Sequence, residues 1–153
     1  MQDNALLFHT LLPVPPSTNS LFLGTGKRRI KTPAYRSWLQ AGSLMISASK
    51  SKQQFRSLAP IAEPCILNMA VDRPNRMRDL DNTLKSAIDL LVARDILKDD
   101  NVIQAIHVYW RSAFPATHAE ITIYSADADL DICWRGGNPS IIQQKKETEE
   151  HGN

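Results

Sequence analysis

The apolar positions of the chain change their spacing several times, and each change marks an element. Residues 5–14, ALLFHTLLPV, form a short apolar run that stops at Pro15-Pro16. The run predicts a first strand, with a buried helical turn as the other reading of so short a segment. PPSTN at 15–19 reads as a turn, and GTGKRRIK at 24–31 as a flexible loop or an edge hairpin. From Thr32-Pro33 the period lengthens to that of a helix, with Thr32 as cap and Pro33 in the first turn. Its stripe is Tyr35, Trp38, Gly42, Met45 and Ala48 or Ser49, widened by Leu39 and Ile46.

CILNMAVD at 65–72 predicts a second strand. A second helix follows from Asp79 or Asp81 to Arg94, about fifteen residues and roughly 22 Å long, with Leu80, Leu84, Ala87, Ile88 and Leu91 on one face. VIQAIHVYW at 102–110 is rich in β-branched and aromatic residues and predicts a third strand. HAEITIYS at 118–125 predicts a fourth, with Ile121 and Ile123 on one face and Glu120, Thr122 and Tyr124 on the other. AFPATH between them reads as the turn of a closing hairpin. The order β-α-β-α-β-β predicts an α+β (mixed α/β) domain over 1–125, a mixed sheet with two packed helices. Residues 126–153 are polar, carry GG and NP, and end in a charge run. They predict a flexible tail with a local contact through Trp134.

Composition narrows this picture only slightly. The length of 153 residues suits one domain, and 42% hydrophobic with 22% charged residues is an ordinary globular balance. A net charge of +2 neither demands nor excludes nucleic acid, so the distribution of charge decides. No apolar run reaches membrane-spanning length and the N-terminus lacks a signal-peptide pattern, which predicts a cytoplasmic protein without a membrane partner. Cys65 and Cys133 sit in dissimilar contexts and read as free thiols.

The unusual feature is electrostatic. RDLDN at 78–82 and KDD at 98–100 place Asp79, Asp81, Asp99 and Asp100 around the two ends of the second helix. Carboxylates so close repel unless they stay wet or share a cation. Asp79, Asp81 and Asp100, three acids without a nearby His or Cys, form a hard-oxygen set suited to Mg²⁺ or Mn²⁺. The plainer readings are helix caps for Asp79 and Asp81, an ion pair of Lys85 with Asp81 four residues before it, and turn residues for Asp99-Asp100. None of these explains the flanking arginines. Two basic blocks, Lys27, Arg28, Arg29 and Lys31, and Arg73, Arg76 and Arg78, predict a surface for a nucleic-acid backbone beside the acids. Asp100 stands nineteen residues after Asp81, so it meets the other acids only if the chain doubles back or a partner subunit supplies it.

RDLDN, Lys85, an apolar helix and then LKDDNVI, with LPVPPSTN and TPAYRSW upstream, resemble the RusA-type Holliday junction resolvases over about residues 8–125. The resemblance implies a homodimeric, Mg²⁺-dependent endonuclease of bacterial or prophage origin, with Mn²⁺ as a possible substitute. It would bind four-way DNA junctions during recombination and repair and resolve them by paired nicks, leaving 5′-phosphate and 3′-hydroxyl ends. Asp79, Asp81 and Asp100 fall on the family's essential acids, Lys85 on its essential lysine and Arg78 on the arginine before the first acid. RPNRM carries fewer basic residues than the family's loop. A DNA-binding module whose acids are only caps, and a metal nuclease of broader branched-DNA taste, are the alternatives.

Overall fold

The computed structural model describes residues 5–24, 26–53, 59–75, 78–112 and 117–126. Strand β1 (Leu6–Pro13) leads through a turn at Thr18–Ser20 to a small antiparallel hairpin, β2 (Phe22–Leu23) and β3 (Ile30–Lys31). Helix α1 (Pro33–Lys52) crosses to β4 (Cys65–Asp72), helix α2 (Leu84–Ala93) crosses to β5 (Ile103–Arg111), and β6 (His118–Ser125) closes the domain. The predicted order and the mixed α+β class are both present, and the basic segment ends in β3, which pairs with β2 as a separate two-stranded sheet rather than as an edge of the main one. Gly24, at φ +85°, makes that hairpin possible, because a Cβ there would stand 2.6 Å from the Arg28 carbonyl oxygen.

One expectation fails. β6 does not form a hairpin with β5; the sheet order is β1-β6-β4-β5, with β6 antiparallel to both of its neighbours and β4 parallel to β5. β4 has almost no exposed side chain, so it needs a strand on each side. β6 offers Ala119, Ile121 and Ile123, all fully buried, and fits between β4 and β1. β5 is exposed at alternate and tip positions and takes the edge. β5 and β6 therefore lie on opposite sides of β4. Asp72, the last residue of β4, ties the end of β5 to the start of β6. One carboxylate oxygen accepts from Arg111 Nε at 2.8 Å, and the other accepts from the backbone N–H groups of Thr117 at 3.2 Å and His118 at 2.9 Å.

Both helices pack on one face of the sheet, against Phe8, Leu12, Leu67, Met69, Val71, Ile121 and Ile123. Helix α1 starts as predicted, with the Thr32 hydroxyl accepting from the Tyr35 N–H and Pro33 in the first turn. Its buried residues are Tyr35, Trp38, Gly42 and Ile46, so the stripe runs through Ile46, while Met45 is half-buried and Ala48 exposed. Gly42 sits where α1 meets α2; a Cβ there would stand 2.6 Å from Leu90 Cδ2 and 3.6 Å from Leu12 Cδ2. The outer edge of β1 is sealed by Gln53. Its side chain donates to the His9 carbonyl at 2.6 Å and accepts from the His9 N–H at 3.1 Å, occupying backbone groups that would otherwise pair with another strand.

The helix-free face carries a polar chain. Arg111 donates to Glu120 at 2.8 Å, and Glu120 pairs with His9 Nε2 at 2.9 Å, so β4, β5, β6 and β1 are linked in turn. Burial pushes the Asp72 carboxyl up, but the Arg111 hydrogen bond and the two backbone N–H groups outweigh it and hold the carboxyl below its ordinary range. The tail from 127 onward, with Cys133 and Trp134, lies outside the described residues, as do Arg76 and most of the AFPATH turn.

Two stability predictions follow from these contacts. Replacing Gly42 by Ala should be near neutral in urea unfolding, because the helix propensity gained offsets a small shift of Leu90, whereas Gly42→Val should cost about 2 kcal/mol through overpacking. Asp72→Asn should cost about 2 kcal/mol at neutral pH, between the limits for exposed and buried pairs. A lowered carboxylate stabilises fully above the ordinary aspartate range, near pH 4, and loses that contribution as pH falls through the folded value. The gap in melting temperature between wild type and Asp72→Asn should therefore be widest at pH 7 and close as pH falls below about 4.

Candidate active site

The chain leaves β4 at Asp72, passes through Arg73 to Asn75, and re-enters described structure at Arg78. Asp81–Thr83 then form a single 3₁₀ turn before α2 begins at Leu84. The predicted helix is thus shorter at its start than its apolar stripe suggested. The side chains of Asp79, Asn82 and Thr83 compete for nearby polar groups and disfavour a regular first turn. Thr83 is fully buried and its hydroxyl donates to the Leu80 carbonyl at 2.6 Å, while Asn82 Nδ2 donates to Asp79 at 3.3 Å. Asp79 and Asp81 are both exposed, and no described residue pairs with the Asp81 carboxylate.

Lys85 lies one turn further along. It pairs not with Asp81 but with Asp89, at 3.2 Å and with both side chains well exposed. Such a pair is weak and leaves the ammonium free to turn toward an anion. Tyr35 lies close to the same pair. Its hydroxyl is pushed up by burial and then by Asp89, and drawn down in part by Lys85.

The first basic block is the β2–β3 hairpin. The Arg29 guanidinium lies 5.0 Å from the centre of the Phe22 ring and Lys31 Nζ lies 5.8 Å from that of Tyr35, so exposed cations rest on an aromatic base. Lys27 and Arg28 occupy the exposed turn between the strands. In the second block Arg73 is exposed and covers Trp110 at 5.4 Å. Arg78 is half-buried and donates to the Pro15 carbonyl at 3.0 Å. Arg76 lies outside the described residues. The described residues of both blocks stand at the same end of the sheet as Asp79 and Asp81, the end where β1 and β4 finish.

Asp100 stands elsewhere. The return from α2 is held beside Ile61, which donates to the Ile96 carbonyl and accepts from the Lys98 N–H, both at 2.9 Å. Asp99 then caps a second 3₁₀ turn, Asp100–Val102, by accepting from the Asp100 N–H at 2.8 Å. β5 starts immediately afterwards, paired with Cys65 at the first residue of β4. Asp100 is therefore at the edge where β4 begins, and the acid turn at 79–81 is at the edge where β4 ends. An eight-residue strand spans about 26 Å, far beyond the reach of three carboxylates on one ion. Among the described residues, no group of three His, Cys, Asp or Glu comes together to hold a metal. The donor chemistry suits a hard divalent cation, but in one protomer Asp79 and Asp81 stand close in sequence at one turn and Asp100 is remote from both.

Sequence reasoning found the acids and the cations but missed the groups that hold them. Thr18 donates to the Asn82 carbonyl at 2.9 Å and Ser86 to the Pro16 carbonyl at 3.5 Å, across more than sixty residues of sequence. The polar letters of PPSTN were the available signal, since a turn needs fewer of them.

The protein-family model described as Endodeoxyribonuclease RusA matches residues 13–124, which span every element from the end of β1 to β6. No curated protein matches the chain.

Proposed function

The chain belongs to the RusA endodeoxyribonuclease family, and from that premise we propose that it cuts four-way DNA junctions by paired nicks, with Mg²⁺, at two sites that each need two subunits. An endodeoxyribonuclease of this family is a hydrolase acting on DNA, its substrate is branched DNA, and its nucleases generally depend on a divalent metal. The observation that carries the finer reading is the placement of the acids. Asp79 and Asp81 share one turn with both basic blocks around it, and Asp100 projects from the opposite edge of the same parallel strand pair. A two-fold dimer brings the Asp100 edge of one protomer to the acid turn of the other, twice over, and a four-way junction offers two equivalent strands. With the β1 edge closed at His9, the outer edge of β5 and the helix-free sheet face, where Tyr109 and Leu11 are exposed, are open to a partner.

Asp79, Asp81 and the partner's Asp100 would hold the ion. A bound Mg²⁺ supplies charge stabilisation on the phosphate and lowers the pKa of a coordinated water. Lys85, exposed and only weakly engaged by Asp89, neutralises charge on the scissile phosphate or its leaving oxygen. Lys27, Arg28, Arg29, Lys31 and Arg73 follow the backbone and carry affinity rather than sequence choice.

Asp81→Asn tests this reading. Cleavage of a mobile four-way junction should fall at least 100-fold, with binding retained or tightened because a repelling carboxylate is gone. Cleavage at the wild-type rate would refute the assignment of Asp81. Equal cutting of duplex, flap and junction by the wild type would refute junction selectivity.

A further inference from the structure

The loop from Pro15 to Leu21 touches both functional blocks and belongs to neither. On one side Arg78 Nη1 donates to the Pro15 carbonyl at 3.0 Å, Ser86 Oγ to the Pro16 carbonyl at 3.5 Å, and Thr18 Oγ1 to the Asn82 carbonyl at 2.9 Å. On the other side, Thr32 donates from its hydroxyl to the Ser20 carbonyl at 2.9 Å and from its N–H to the Leu21 carbonyl at 3.0 Å. The loop also closes on itself, because both the N–H and the hydroxyl of Ser20 donate to the Ser17 carbonyl at 2.9 Å. Pro15 and Leu21 are buried at its two ends. It is a rigid joint between the acid turn and the start of α1, where the basic hairpin ends.

The acid turn needs such a joint. Its 3₁₀ segment has no side-chain cap of its own. Asp79 and Asp81 repel each other, so nothing within the turn favours their convergence on one ion. Thr18 grips the carbonyl of Asn82, the residue directly after Asp81, and the Asn82 side chain in turn holds Asp79. We propose that Thr18 is a positioning residue for the acid-bearing turn, and that Arg78 works with it by gripping the loop rather than by binding a DNA phosphate. Without the Thr18 hydroxyl the turn keeps its sequence and charge but loses its fixed orientation, so the cost falls on metal use and not on DNA binding. The inference rests on the proposed reading of Asp79 and Asp81 as metal ligands.

The test compares Thr18→Val, which keeps the shape and loses the hydroxyl, with Thr18→Ser, which keeps the hydroxyl. Cleavage of a four-way junction is measured across a Mg²⁺ titration, and junction binding in chelator across a salt series. Thr18→Val should need about fivefold more Mg²⁺ for half-maximal cleavage, as the loss of one ordinary hydrogen bond implies. Its binding in chelator should stay within twofold of wild type, and Thr18→Ser should restore the metal requirement. Arg78→Ala should shift the Mg²⁺ requirement in the same direction and leave the slope of log affinity against log salt unchanged. An unaltered Mg²⁺ requirement in Thr18→Val, binding that weakens in step with cleavage, or a Thr18→Ser variant as impaired as Thr18→Val would overturn the role of Thr18. A salt slope reduced by about one in Arg78→Ala would make Arg78 a phosphate contact. Asp81→Asn separates the two levels. If it cleaves, the metal reading fails; if it is dead while Thr18→Val matches wild type, only the joint fails.

Discussion

The architecture depends on one strand. β4 is buried along its length, flanked by β6 and β5, and runs parallel to the strand that follows it. A parallel pair cannot be joined by a tight turn, so the chain must return along a helix from the end of β4 to its beginning. That constraint puts the acid turn at one edge of the sheet and Asp100 at the other. The separation of the acids is therefore a consequence of topology, not of loop detail, and no rearrangement of side chains within one protomer removes it. The proposed dimer would supply the missing acid from a second subunit.

The same strand organises the polar contacts. β6 joins β4 on the side away from β5, and the buried Asp72 carboxylate takes Arg111 from the end of β5 and two backbone N–H groups at the start of β6, tying the two flanking strands together. Arg111 reaches on to Glu120 and Glu120 to His9, so one network spans the sheet on its helix-free face. At the same end of β4, the loop from Pro15 to Leu21 joins the acid turn to the basic hairpin. The acid turn is thus held by side-chain hydrogen bonds to backbone carbonyls of long sequence separation rather than by pairing of its carboxylates with a cation.

Much of this was legible in the sequence because it is local. Thr32-Pro33 announces the start of α1, CILNMAVD matches β4 residue for residue, and the alternation of HAEITIYS assigns both faces of β6. The stripe of α1 was displaced by one position at its centre, from Met45 to Ile46, since neighbouring apolar residues leave a helical phase ambiguous. Strand order was not legible. β5 and β6 are consecutive and separated by a turn signal, and only the burial of β4 on both faces decides that β6 lies on its other side. The acids and cations of the candidate site stood out by composition. Their supports, Thr18 and Ser86, did not, because each acts on a backbone carbonyl whose neighbour is set by the tertiary fold.

The division of the acids between subunits is tested most directly by mixing two inactive chains. Asp81→Asn and Asp100→Asn protomers carrying different tags are co-expressed, and the mixed dimer is isolated and assayed on a four-way junction with Mg²⁺. If each site takes its acid turn from one protomer and Asp100 from the other, the mixed dimer has one site with both substitutions and one with neither. It should nick a single strand while both parent homodimers are inactive. A mixed dimer as inactive as its parents would place all three acids of a site in one protomer and contradict the account.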